Sequence, residues 1–316
     1  MNAIAKRIQD LEALESGRTA RPDFDLFWDR LMLEEKAIPV RGERTRAESP
    51  LLGTISYDVV YTGFADTPIH GWLLLPENAP RKPLPCIVLY HGYTGSRELP
   101  EHHAVWLMMG YAVFAVDVRG QGGITGNTLA QHGGSSKGWV TQNILDKDNF
   151  YYKAITVDAL RAVRFVKEQP EIDPQRIIAM GTSQGGGLTL MVSSLLREEV
   201  RIAVASLPNM CQLDSAIINS VGSISEVADY LTRHPEDLDA ALDTLSYFDA
   251  VNLADRIQAP LLCTVSLKDP VCTPDSIYAA YNRITSSKEM IVYPFNGHWT
   301  GPDHMRKVHA FIQQHL

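Results

Sequence analysis

The chain has 316 residues, 45% of them hydrophobic, and its 29 Lys and Arg against 37 Asp and Glu leave a formal charge of −8. That acidic balance, with no basic run, argues against a nucleic-acid partner, because a phosphate backbone recruits clustered positive charge. No stretch approaches the roughly 18 apolar residues that cross a bilayer, and the length suits one decorated α/β domain over 1–316.

The opening stretch MNAIAKRIQDLEALESG carries charges every few residues and lacks an apolar core of signal-peptide length. Cys86, Cys211, Cys263 and Cys272 show no C-x-x-C pair or metal spacing, so reduced thiols and a cytoplasmic location are expected. Residues 1–50 read as a charged helical extension, with Phe24, Phe27, Trp28 and Leu31 on one apolar face. From Thr54 the pattern changes to strands, TISYDVVYTG and then IHGWLLLP. PCIVLY, YAVFAVDV, RIIAMG, RIAVAS, LLCTVS and EMIVYP follow as short runs apolar on both faces, most of them separated by helical-period segments. That alternation predicts an α/β fold with a mostly parallel, doubly wound sheet buried between two helix layers. One connection, about 207–260, is too long for a loop and holds helical patterns such as SISEVADYLTRH and PEDLDAALDTL. It predicts an inserted helical cap over the carboxyl ends of the strands, where open α/β sheets bind ligands.

Gly-x-Ser-x-Gly occurs twice. Gly134-Ser135-Ser136-Lys137-Gly138 follows the polar stretch LAQHGG with no strand before it, so Ser136 reads as part of a glycine-rich surface loop. Gly181-Thr182-Ser183-Gln184-Gly185 stands directly between the strand RIIAM and a helix-like segment, the setting of a nucleophile elbow. An elbow serine needs a base and an orienting acid, in chain order Ser, Asp, His. Asp269 lies just past LLCTVS and His298 just past EMIVYP, so both face the rim that carries Ser183. The alternative for Asp269 is a helix-capping role before PDSIYAAYN, and for His298 an ordinary surface loop. His304, His309 and His315 fall on the terminal helix, His234 in the cap, and His102 and His103 in a polar loop. Two backbone amides should complete an oxyanion hole: Gln184, next after the serine, and Tyr93, in the loop His91-Gly92-Tyr93-Thr94-Gly95. His91 itself reads as a structural hydrogen-bonding residue. Neither H-E-x-x-H nor a Walker loop occurs, and this chemistry needs no metal or organic cofactor.

PDFDLFW, HGYTG, RGQGG at 119–123, GTSQGGG, TLSYFDAVNLADRI, DPVCTP and YPFNGH together resemble the acetyl xylan esterase and cephalosporin-C deacetylase family, carbohydrate esterase family seven, almost end to end. The resemblance implies an α/β-hydrolase fold with Ser183 as nucleophile, His298 as base and Asp269 as its partner. It places the amides of Tyr93 and Gln184 in the oxyanion hole and gives Arg119 and Gln121 supporting roles in fixing nearby loops. It also implies acetylated sugars and related small acetyl esters as substrates, and a homo-oligomer, by family a hexamer. Ser266, Thr273 and Trp299 stand where the family usually has Gly, Pro and Glu. A prolyl-oligopeptidase-type serine peptidase and a non-catalytic ligand-binding protein share the fold and are the alternatives.

Overall fold

The computed structural model describes residues 2–79, 82–133 and 137–316. The chain opens with helices α1 (Ala3–Glu12) and α2 (Phe24–Ala37). Asn2 starts α1 by accepting the Ala5 N–H at 2.8 Å, which satisfies one of the free donors of a first turn. Phe24, Phe27, Trp28 and Leu31 form the buried face of α2, as their spacing predicts. Trp28 Nε1 donates to the Tyr247 carbonyl at 2.9 Å, and both Phe27 and Trp28 meet Phe248 edge-on.

The helical reading of residues 1–50 fails at its end. Gly42–Ala47 is a strand, β1, pairing antiparallel with β2 (Thr54–Thr62). Its side chains are mostly exposed, so no apolar alternation marks it, and pairing with β2 overrides local preference. Charged side chains on an edge strand also discourage further pairing. One of them, Arg44, bonds Glu171 through both terminal guanidinium nitrogens at 2.8 and 3.1 Å.

The remaining elements are β3 (Pro68–Pro76), β4 (Leu84–Tyr90), α3 (Ala104–Met108), β5 (Ala112–Val116), α4 (Tyr151–Lys167), β6 (Ile172–Thr182), α5 (Gln184–Leu196), β7 (Ile202–Ser206), α6 (Leu213–Asn219), α7 (Ser225–Arg233), α8 (Leu238–Tyr247), β8 (Leu261–Ser266), α9 (Pro274–Tyr281), β9 (Lys288–Tyr293) and α10 (His304–His315). The strands form one sheet in the order β1-β2-β3-β5-β4-β6-β7-β8-β9. The pairings from β1 to β5 through β3 are antiparallel, and those from β5 through β4 to β9 are parallel.

The expected doubly wound arrangement is visible in how one strand divides between two cores. Ala112, Phe114 and Val116 of β5 join the larger cluster with α4 and α5, whereas Val113 and Ala115 join the smaller one with Trp106, Leu107, Val308 and Phe311 of α3 and α10. Side chains that alternate across a strand therefore find apolar cover on both faces. Helix α5 is buried along its whole length, in keeping with a sequence that is apolar or small on every side.

The connection from 207 to 260 holds α6, α7 and α8. Its two ends are joined by the buried Asp249, whose carboxylate accepts the N–H groups of Gln212 at 2.9 Å, Leu213 at 2.7 Å and Val251 at 3.0 Å. Burial raises this carboxyl to about 7 despite those three donors. Among the described residues no helix is long and apolar enough to cross a membrane.

Candidate active site

Strand β6 and helix α5 meet at Ser183, whose backbone stands at φ 59°, ψ −120°. A non-glycine residue pays roughly 1–3 kcal/mol for such a conformation, which persists only where the surroundings over-determine it. Here the Ser183 N–H donates to the Ser206 carbonyl on β7 at 2.9 Å, and its carbonyl accepts from Gly187 and Asn209 at 3.0 and 2.9 Å. The flanking glycines are steric requirements. A Cβ on Gly181 would lie 2.3 Å from the Gly185 backbone, and one on Gly185 would lie 2.0 Å from the Tyr90 carbonyl oxygen. The motif thus produces a tight turn that presents a serine at the start of a helix.

The loop after β4 abuts this turn: a Cβ on Gly92 would sit 3.6 Å from Ser183 Cβ. Both nitrogens of His91 are committed. Nδ1 bonds the Gly92 carbonyl at 2.7 Å and Nε2 accepts the Val118 N–H at 2.9 Å. Only a neutral ring protonated at Nδ1 satisfies both, and burial lowers the pKa of the ring. His91 is a structural residue, as its place in the loop suggests.

Gln121 joins the two segments that carry the candidate oxyanion amides. Its Oε1 accepts the Thr94 N–H at 2.8 Å, and its Nε2 donates to Gln184 Oε1 and to Tyr151 Oη, both at 2.9 Å. Tyr151 Oη in turn donates to the Arg119 carbonyl at 2.7 Å. Arg119 is fully buried and forks onto Asp158, with Nε to Oδ2 at 2.6 Å and Nη2 to Oδ1 at 2.7 Å; Nη2 also reaches the Phe64 carbonyl at 2.9 Å. Removing one partner of a buried pair leaves an uncompensated charge. Arg119→Met is expected to destabilise the fold by about 3–5 kcal/mol in urea unfolding, and Arg119→Met with Asp158→Leu by much less.

Asp269 follows β8 and is 4% exposed. Its Oδ1 accepts the N–H groups of Val271 and Cys272 at 2.8 and 3.0 Å, and its Oδ2 lies 2.7 Å from His298 Nδ1. The capping alternative is excluded, since α9 is capped by Thr273, which accepts from Ser276 N. A carboxylate only accepts, so the His298 proton sits on Nδ1 and Nε2 is left as the ring's basic nitrogen. Two of the family departures bond each other here: Ser266 Oγ donates to the Trp299 carbonyl at 3.0 Å, beside His298.

Cys272, whose N–H holds Asp269, is a buried thiol in the same turn. Burial first, and then the charge of Asp269, push that thiol well above the usual range, so it stays neutral. Among the described residues no hydrogen bond joins Ser183 Oγ to His298. Such contacts commonly tighten only when substrate is bound.

Of the other histidines, His304 begins α10 and bonds Ser206 Oγ through Nε2 at 2.9 Å. His309 and His315 lie further along that helix, His234 ends α7, and His102 and His103 sit in a short 3-10 helix. Ser136 lies outside the described residues. Glu226 is a neighbour of the candidate oxyanion loop that the sequence motifs do not reveal. It carries no local signal, because α7 brings it to Tyr93 from 133 residues away, whereas Cys272 stands in the acid loop, three residues after Asp269.

The sheet order with a serine elbow at β6 defines an α/β-hydrolase. The family model for acetyl xylan esterase (AXE1) matches residues 1–315. The acetyl xylan esterase from Paenibacillus sp. R4 superposes with a TM-score of 0.93 at 37% identity, covering 98% of this chain and 99% of that one. Acetyl xylan esterase 1 from Thermoanaerobacterium sp. gives 0.90 at 28% identity, covering 97% and 98%. Acetyl esterase Axe7A of Xylanibacter ruminicola is 27% identical over 290 residues; that match takes in 88% of this chain and spans 63% of the relative's length. The chain belongs to the acetyl xylan esterase family, a family of carboxylic ester hydrolases.

Proposed function

We propose that the protein is a serine esterase that removes acetyl groups from acetylated xylo-oligosaccharides and from small acetyl esters such as cephalosporin C. The observations that carry this reading are the 2.7 Å pair between the buried Asp269 and the part-buried His298, and a serine held at φ 59° on a strand–helix turn. In the proposed cycle His298 Nε2 takes the Ser183 proton as Oγ attacks the ester carbonyl. The negative charge passes to the carbonyl oxygen, which the amides of Tyr93 and Gln184 receive, while Asp269 stabilises the imidazolium. The C–O bond to the alcohol breaks, His298 returns the proton to that alcohol, and an acetyl-serine remains. Water then attacks with His298 again as base, releasing acetate and restoring Ser183.

Helices α6 to α8 serve in this reading as a cap that walls the site. Phe295 and Trp299, 71% and 62% exposed, flank His298 in the sequence and in this reading offer flat apolar surfaces to the C–H faces of a sugar. Four buried, unpaired cysteines support a reducing, cytoplasmic setting. The family likeness extends the reading to a homo-oligomer, a hexamer by resemblance. The test is a substrate panel. Acetylated xylo-oligosaccharides and p-nitrophenyl acetate should be hydrolysed at least tenfold faster, by kcat/KM, than p-nitrophenyl butyrate, with no cleavage of aminoacyl-prolyl amides. Amide cleavage without acetyl release would favour the peptidase reading.

A further inference from the structure

The hydroxyl of Tyr93 ends against a carboxylate from the other side of the site. Glu226, in the first turn of α7, is 4% exposed, and both its oxygens lie 3.0 Å from Tyr93 Oη. The same phenol accepts the Trp139 N–H at 2.8 Å, and the Trp139 ring stands edge-on to it at 5.4 Å. Gly138 closes the arrangement at φ +59°: a Cβ there would lie 2.2 Å from both Glu226 Oε2 and Tyr93 Oη. Three segments remote in sequence, 91–95, 137–140 and α7, therefore converge on one phenolic oxygen.

A buried carboxylate is costly unless it is well bonded. The hydrogen-bond partner of the Glu226 side chain is the Tyr93 hydroxyl, which donates to the carboxylate. Tyr93 carries a candidate oxyanion amide on a loop that abuts Ser183, so the contact lies one side chain from the reacting centre. We propose that Glu226 is a positioning residue that latches the oxyanion loop to helix α7 through the Tyr93 hydroxyl. The inference rests on the esterase reading above. With its proton given to Glu226, the phenol keeps its lone pairs for Trp139, and the direction of the Tyr93 side chain is set from both ends. Without that acceptor the ring can turn, and the amide behind it leaves the position where oxyanion charge develops. A donor aimed at that charge contributes to the transition state far more than to ground-state binding.

The experiment compares wild type with Glu226→Ala, Glu226→Gln and Tyr93→Phe on p-nitrophenyl acetate, with phenylboronic acid as a tetrahedral-anion mimic. Glu226→Ala is expected to lower kcat about 10–100-fold with KM moved less than about twofold, part of the loss of roughly 10²–10³ that follows removal of one oxyanion donor. Boronate affinity should fall in step. Glu226→Gln keeps an acceptor and should recover most of kcat, and Tyr93→Phe with Glu226→Ala should cost no more than the larger single loss. If Glu226→Ala does not fold, Tyr93→Phe carries the same kinetic test. Unchanged kcat and boronate affinity in the folded variants, or additive losses in the double variant, would overturn the latch. Activity that survives in Ser183→Ala would instead overturn the esterase reading on which it rests.

Discussion

Alanine at position 183 is expected to lower kcat for p-nitrophenyl acetate by about 10⁶-fold, the scale on which removal of a triad serine acts elsewhere. The loss follows from what Ser183 is held to do. Its backbone is fixed by hydrogen bonds from β7 and α5 whether or not the hydroxyl is present, so the variant should fold, bind substrate and keep its melting temperature within a few degrees. Only the oxygen proposed to form the acyl bond is gone. Kinetics together with thermal unfolding separate this result from a folding defect. A variant retaining wild-type kcat would place the nucleophile elsewhere.

Asp269→Asn should be the next most damaging change, lowering kcat about 10⁴-fold at unchanged fold. The geometry explains why so conservative a substitution is harmful. Oδ1 accepts two backbone N–H groups, from Val271 and Cys272. An asparagine must turn its own oxygen to those donors, so its NH₂ faces His298 Nδ1. The ring then accepts at Nδ1 and carries its proton on Nε2, the nitrogen required to take the proton of Ser183. KM should change little, because the lost interaction is made mainly in the transition state. Assays of kcat and KM with circular dichroism of the variant check both halves of the expectation.

The fold was largely readable because its signal is physical and local. Runs apolar on both faces, such as PCIVLY and RIIAMG, can be buried only between two layers, and Gly181 and Gly185 are the residues that a strand–serine–helix turn demands sterically. The candidate acid and base were readable from their places just beyond two strand ends, and the family resemblance then gave the same residues. What escaped has equally physical causes. The edge strand Gly42–Ala47 is exposed and charged, so its identity comes from the backbone of β2 and not from its own side chains. Glu226 looks like an ordinary polar residue of an amphipathic helix, and its burial against Tyr93 exists only once α7 has packed against the 91–95 loop. Ser266 and Trp299 are 33 residues apart and bond through one hydroxyl and one carbonyl, a contact that no spacing rule anticipates.

Reaction with a fluorophosphonate tests the central claim most directly, because only an activated serine beside a working base attacks phosphorus rapidly. Intact-mass measurement should show one adduct per chain, peptide mapping should place it on Ser183, and His298→Ala should slow labelling by at least a hundredfold. Labelling of another serine, or no labelling of a protein that still hydrolyses acetyl esters, would contradict a mechanism centred on Ser183, His298 and Asp269.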